Sequence, residues 1–225
     1  MKKIYISLIA LFSLGAMACQ PQVKKEVKQP SEVAEVIKLS AEELQQYETA
    51  YFASGCFWCV EAIFESVKGV KEVVSGYSGG PEANPNYEQV AYGRTGHAEA
   101  VEVYYDPSEI SFFQLVQVFF GSHDPTSLNR QGPDRGAQYR SIAFYKDDEQ
   151  KKVIDAYIKA LEENKVYDQP IVTQVVPFEV FYKAEEYHQD YERKNPNNGY
   201  IQNISIPRLN RFKKNFPEYL KDEAH

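Results

Sequence analysis

The segment Gly55-Cys56-Phe57-Trp58-Cys59-Val60-Glu61 constrains this chain more than any other. Ahead of it, Tyr47 to Ala53 ends in Tyr51-Phe52-Ala53 and reads as a short buried strand, and Ser54-Gly55 makes a turn. Behind it, Val60, Ile63, Phe64 and Val67 fall at i, i+3, i+4 and i+7, which predicts a helix with one buried face. A strand that passes into a helix through a tight turn sets Cys56 at the helix N-terminus. Unpaired N–H groups and partial positive charge there favour the thiolate, the nucleophilic form of cysteine. Cys56 is therefore the candidate nucleophile. Two other readings stand beside this one. Free cysteine is commonly a packing residue, and a Cys-x-x-Cys pair can form half of a zinc site. The chain holds three cysteines, and its four histidines (His97, His123, His188 and His225) lack metal-ligand spacing, so no metal is expected.

Further along, strands and helices alternate. Strands are predicted at Val70 to Tyr77, His97 to Tyr105, Arg140 to Tyr145 and Ile171 to Tyr182. Helices are predicted at Ile110 to Phe120, Asp147 to Asn164 (with Asp147 as N-cap) and Ala184 to Lys194. The connections at 78–97 and 121–139 are long and rich in Gly, Pro, Asn and Asp, as functional loops are. The expected architecture is α/β-like or α+β, with one sheet covered by helices and a site built from loops.

The N-terminus is read separately. Met1-Lys2-Lys3 and the apolar run Ile4 to Ala18 have the form of a secretory signal, too short for a comfortable membrane span. Ala16-Met17-Ala18-Cys19 resembles a bacterial lipoprotein signal, in which Cys19 becomes the lipidated N-terminus; Ala16-x-Ala18 also suits ordinary signal peptidase. The expected organisation is a signal peptide at 1–18, a lipidated N-terminus and solvated tether at 19–45, and one domain at 46–225. The expected location is outside the cytoplasm, anchored to a membrane of the cell envelope through Cys19, with a soluble exported form as the alternative. The formal net charge is −7 and no basic block appears, so a nucleic-acid partner is not expected.

Three segments carry unusual chemistry: Tyr87 to Glu99, Gln131 to Ser141, and Ala184 to Tyr191. A lone Glu or a loop Tyr is commonly solvated. Combined with Cys56, they supply a thiolate, a carboxyl open to a raised pKa by burial, and phenol donors, the parts needed to protonate an oxygen while sulfur attacks.

Together GCFWCVE, GYSGG (Gly76 to Gly80), TGHAEAVEVYYDP (Thr95 to Pro107), QGPDRGAQYRS (Gln131 to Ser141), AEEYHQDY and the terminal RFKKNFPE (Arg211 to Glu218) resemble the A-type peptide-methionine sulfoxide reductases, in that family's order and spacing. The resemblance covers Phe52 to about Pro217 and implies an α+β fold, a two-layer α/β sandwich with a ferredoxin-like mixed sheet covered by helices and long functional loops. It also implies reduction of the S-epimer of methionine sulfoxide, free or in oxidised proteins. It implies Cys56 as nucleophile, Glu99 as proton donor to the sulfoxide oxygen, and Tyr87 and Tyr139 as phenols bonding that oxygen. It also implies Asp134 on the substrate's backbone side, and Phe57 and Trp58 as the aromatic wall for the ε-methyl group. No cofactor is implied; electrons come from thioredoxin or another dithiol.

The departure from the family pattern lies in regeneration, because no cysteine follows Cys59. Either Cys59 attacks the sulfenic acid on Cys56 and a thioredoxin-like partner reduces the disulfide, or an external thiol reduces Cys56 directly and Cys59 only packs. A thioredoxin-like disulfide oxidoreductase is a second function class, but it leaves TGHAEAV and QGPDRGAQYRS without a role. A non-catalytic envelope lipoprotein that binds apolar ligands is a third, and it leaves the thiols without one.

Overall fold

The computed structural model describes residues 39–222, so the signal, Cys19 and most of the tether lie outside the described residues. The chain begins with α1 (Ala41–Leu44), β1 (Glu48–Ser54), α2 (Phe57–Glu65), β2 (Val70–Ser78), α3 (Tyr87–Ala91) and β3 (Ala98–Tyr105). It continues through α4 (Phe112–Gly121), the two-residue pair β4 (Arg130–Gln131) and β5 (Asp134–Arg135), β6 (Ser141–Tyr145) and α5 (Asp148–Glu163). β7 (Gln174–Pro177), β8 (Phe181–Lys183), α6 (Tyr191–Lys194) and α7 (Ile206–Asn215) complete it.

Six strands form one sheet in the order β7-β6-β1-β3-β2-β8. Its middle four, β6-β1-β3-β2, are antiparallel neighbours, with α2 and α4 as crossovers. That is the ferredoxin-like split βαβ arrangement. β7 adds in parallel to β6 after the crossover α5, so the sheet is mixed. Asp147 caps α5 as expected, its carboxylate accepting from the Gln150 N–H at 2.8 Å.

Strand alternation divides the core between two faces. Phe52, Val73, Val101 and Val103 meet the helices, where the Phe52 ring stacks on Phe64 (5.2 Å) and Phe119 (5.0 Å). Tyr51, Ala53, Ala98, Ala100, Ile142 and Phe144 face the other way and are covered by Val176, Phe178 and Phe181. Tyr51 stacks on Phe178 with centroids 3.7 Å apart.

Two predicted elements are broken. The strand predicted from Ile171 to Tyr182 is two strands on opposite edges of the sheet. Pro177, which has no N–H to give a ladder, ends β7, and only residues 178–180 separate it from β8. Such a link reaches at most about 14 Å, so the sheet curls until its edges approach each other. Gly76 admits β8, because a Cβ there would sit 2.3 Å from the Phe181 ring. The helix predicted from Ala184 to Lys194 is a 3-10 turn at Glu186–His188, a left-handed Asp190 (φ 57°), and the short α6. Gln189 is the cause. Its side-chain oxygen accepts from the Ser75 N–H, and its amide donates to the Ser75 and Ala184 carbonyls, each at 3.0 Å. A buried glutamine thus takes the place of a strand rung and pins this segment to β2.

Candidate active site

The turn between β1 and α2 has little freedom. Gly55 has φ +93°, and a Cβ on it would lie 2.6 Å from the Gln131 Cβ, so the position demands glycine. Cys56 is the N-cap of α2, and its side chain makes no capping bond. It lines a cavity of about 170 Å³ shared with Phe57, Trp58, Tyr87, Glu99, Asp134, Tyr139 and Tyr200. All seven cavity-facing residues implied by the resemblance therefore meet in one place. Cys59, one helical turn on, is buried and is not among the lining residues.

Glu99 lies on β3 opposite Tyr77 of β2 and is 2 % exposed. One carboxyl oxygen accepts the Phe57 N–H at 3.0 Å, which ties the acid to the first turn of α2. Burial pushes its pKa up to about 8; the Phe57 bond opposes this, and the nearby Asp134 adds to it. Glu99 is therefore a neutral acid near pH 7, able to donate to an oxygen in the cavity.

The aromatic wall is held from outside the cavity. Trp58 stacks face to face on Tyr191 at 3.7 Å, and its indole N–H donates to His188 Nδ1 at 3.1 Å. Burial holds the His188 pKa down to about 4, so it is a neutral acceptor for that bond. Tyr87 opens α3, and its N–H donates to Glu185, whose other oxygen accepts from the Tyr77 hydroxyl at 2.8 Å. Its ring packs on Phe57 and on His188. Burial raises Tyr87 to about 12 and raises Tyr139 as well, with Glu99 the next cause in both, so both remain phenols that can donate. Gln138, beside Tyr139, donates to the Ala91 carbonyl at 2.8 Å and binds its loop to α3.

Tyr200 was missed in the sequence. Its hydroxyl donates to Asp134 at 2.6 Å and lies 3.8 Å from the Cys59 sulfur. The turn-rich run Asn195-Pro196-Asn197-Asn198-Gly199 before it was the available signal. The anchoring of the wall by His188 and Tyr191 was also missed. Beneath the wall, the carboxyls of Glu61, Glu65 and Asp190 converge to within 4.8 Å. Burial raises Glu61 to about 8 and Glu65 to about 7, while Arg193 and Lys194 pair with Asp190. Glu61 accepts from the Asp190 N–H at 3.0 Å and so ties α2 to the His188 segment.

The thiols themselves differ from expectation. Burial pushes Cys56 up despite its place at a helix N-terminus. Cys59 is instead held at about 6, first by the hydrogen bond from Cys56, then by Arg208, Ser205 and Tyr200 acting against its own burial. The pair gives up its first proton as a unit, with the negative charge resting on Cys59.

Two buried thiols one helical turn apart, one of them lining an aromatic cavity, with a neutral acid and phenols turned toward the same space, define a thiol oxidoreductase that removes an oxygen from a small apolar group. Comparison with known proteins narrows the class. A sequence profile of the peptide methionine sulfoxide reductase family matches residues 48–220. A peptide methionine sulfoxide reductase of Rhodopirellula baltica is 51 % identical over 191 residues, covering 85 % of this chain and 96 % of that protein. One from Sulfolobus acidocaldarius is 50 % identical over 171 residues, covering 76 % and 96 %. Among solved structures, methionine sulfoxide reductase A of Corynebacterium diphtheriae matches with TM-score 0.61 and 33 % identity, covering 75 % of this chain and 82 % of that one. Reduced Mxr1 from Saccharomyces cerevisiae matches with TM-score 0.63 and 33 % identity, covering 73 % and 92 %. The chain belongs to the peptide methionine sulfoxide reductase family and is a thiol-dependent reductase of methionine sulfoxide.

Proposed function

We propose that this cavity reduces the S-epimer of methionine sulfoxide, with Cys56 as nucleophile and Glu99 as acid. The observation that carries the reading is Glu99, buried, pushed up to about 8 and bonded to the residue after the nucleophile. A sulfoxide sulfur is a poor electrophile until its oxygen is protonated. Glu99 supplies that proton while Tyr87 and Tyr139 hold the oxygen, and the methyl group rests on Phe57 and Trp58. Asp134, fixed by Tyr200, takes the backbone side of the substrate. As Cys56 attacks, its proton passes to the Cys59 sulfur to which it is bonded, leaving methionine, a sulfenic acid on Cys56 and the Glu99 carboxylate. Only one epimer turns its oxygen to the donors while its methyl faces the wall. Supplied with dithiothreitol and the two epimers of a methionine sulfoxide peptide, the protein should consume only the S form by chromatography. Equal consumption of both would remove the geometric assignment.

Cys59 resolves the sulfenic acid in this reading, and a thioredoxin-like dithiol then reduces the Cys56–Cys59 disulfide. The thiols stand three residues apart on one turn, with the Cys59 N–H on the Cys56 carbonyl at 3.2 Å, a spacing a disulfide can span. Cys59→Ser should still release about one methionine per protein without reductant, since attack by Cys56 comes first. It should then stall with thioredoxin and recover much of its turnover with dithiothreitol, which is small enough to reach the sulfenic acid. Full thioredoxin-linked turnover in this variant would make Cys59 a packed neighbour.

The substrates follow from the N-terminal signal, read here as export and lipidation at Cys19, which would direct the activity to oxidised envelope proteins. The mass of the mature N-terminal peptide checks this; an unmodified Cys19 would leave a soluble exported form.

A further inference from the structure

We propose that Arg208 is the counter-cation of the Cys59 thiolate, and that it makes Cys59 the leaving group when the reductant attacks the disulfide at Cys56. The inference rests on the reading that Cys59 resolves the sulfenic acid. Arg208 is a buried guanidinium on α7, a helix that packs against α2. Its Nε donates to the Ser122 carbonyl at 2.9 Å and its Nη2 to the Ser54 hydroxyl at 3.3 Å. Its Nη1 lies 3.5 Å from where a Gly55 side chain would begin, directly under the turn that presents Cys56. These partners are neutral oxygens, and no carboxylate of the described residues pairs with it at ion-pair distance. A buried cation without a paired anion is costly. The acid groups that feel its charge are Cys59 and Asp134, and the buried His123, held down to about 3 first by burial and then by Arg208, stays neutral beside it. Ser205, three residues earlier, gives its hydroxyl to Glu192, and the hydroxyl that stands against the Cys59 sulfur is that of Tyr200, at 3.8 Å. The start of α7 thus brings a positive charge to one sulfur of the pair, and the Arg208 charge favours the Cys59 thiolate.

The chemistry then has a direction. Cys59 gives up the proton it took from Cys56, and its thiolate attacks the Cys56 sulfenic acid. The S–S bond forms, the S–O bond breaks, and hydroxide leaves as water with that proton, while Glu99 regains its own from solvent. Of the resulting disulfide, Cys56 faces the cavity and Cys59 is covered. A thiolate of the reductant reaches the Cys56 sulfur, the bond to Cys59 breaks, and Cys59 departs with the electron pair as a thiolate beside Arg208. A thiol of lower pKa leaves faster. The reductant's second thiol then cleaves the mixed disulfide, which leaves the reductant oxidised and Cys56 free. Arg208 acts through Cys59 and is a positioning residue.

The full chain, oxidised with a methionine sulfoxide peptide, is treated with a thioredoxin that lacks its second cysteine, then alkylated and mapped by fragmentation, with Cys19 counted separately. Thioredoxin should be found on Cys56 and the alkyl group on Cys59; the reverse overturns the proposal. Closure of the disulfide is followed through Trp58, the one tryptophan of the chain. Arg208→Met should slow closure at neutral pH about tenfold and move its pH midpoint up by roughly one unit or more, as loss of an adjacent opposite charge does. Arg208→Lys should restore both. A merely structural arginine would lower stability without moving that midpoint, so an unmoved midpoint in a folded Arg208→Met overturns the proposal alone. Absence of any Cys56–Cys59 disulfide in the oxidised wild type overturns the resolving role of Cys59, and the proposal with it.

Discussion

Cys56→Ser is expected to abolish methionine release altogether, including the single turnover that needs no reductant. The step lost is formation of the bond between the protein's sulfur and the substrate's, and a serine hydroxyl at neutral pH is a far weaker nucleophile than a thiolate. Among the described residues there is no second route, since Cys59 is outside the cavity lining and cannot meet a substrate seated between Glu99 and Trp58. Stability should not account for the loss. Cys56 is an N-cap whose side chain makes no capping bond, and serine is among the favoured residues at such a position. The variant should therefore melt within a few degrees of the wild type, or slightly above it. Turnover above about one-hundredth of wild type in a normally folded Cys56→Ser would remove Cys56 from the mechanism.

That cysteine was legible because everything that positions it is local: a buried strand, a glycine turn and a helical apolar spacing within twenty residues. Alternation showed one sheet covered by helices, whereas the ferredoxin-like mixed sheet was implied by the family resemblance. What escaped depends on contacts between distant segments. Tyr200 reaches Asp134 from 66 residues away, through loops that carry no periodicity. The apolar run from Ile171 to Tyr182 shows that residues are buried but not that Pro177 sends them to opposite sheet edges. The segment from Ala184 has helical spacing, yet Gln189 commits it to the backbone of β2. The thiol electrostatics failed for the same reason. A helix N-terminus is visible in sequence and argues for a Cys56 thiolate, whereas the burial that pushes Cys56 up and the Arg208 that holds Cys59 down come from the assembled core.

Glu99→Gln tests the other half of the chemistry. It should slow single-turnover methionine release by about 10²–10⁴, the usual contribution of a positioned acid, while substrate affinity changes little. Gln keeps the shape and can keep the bond from the Phe57 N–H, so the loss is of the proton alone. In the wild type the first step should follow a bell, rising as the thiol pair loses a proton near 6 and falling as Glu99 ionises near 8. The variant should lose the alkaline limb. Stability gives an independent check with a fixed sign. Burial raises Glu99 from 4.5 to about 8, so the folded chain holds a proton that the unfolded chain releases. Its contribution is full below about 4.5 and is lost as pH rises through about 8, at up to ~1.4 kcal/mol per pH unit in that window. Glu99→Gln should remove this part of the decline and melt higher than wild type at pH 7.5, although Glu61 and Glu65 still titrate nearby. A more stable protein that has lost its alkaline limb and most of its rate is the signature of an acid held neutral for catalysis. If single-turnover release stays within about threefold of wild type, Glu99 is not the donor, and Tyr87 and Tyr139 are next in line.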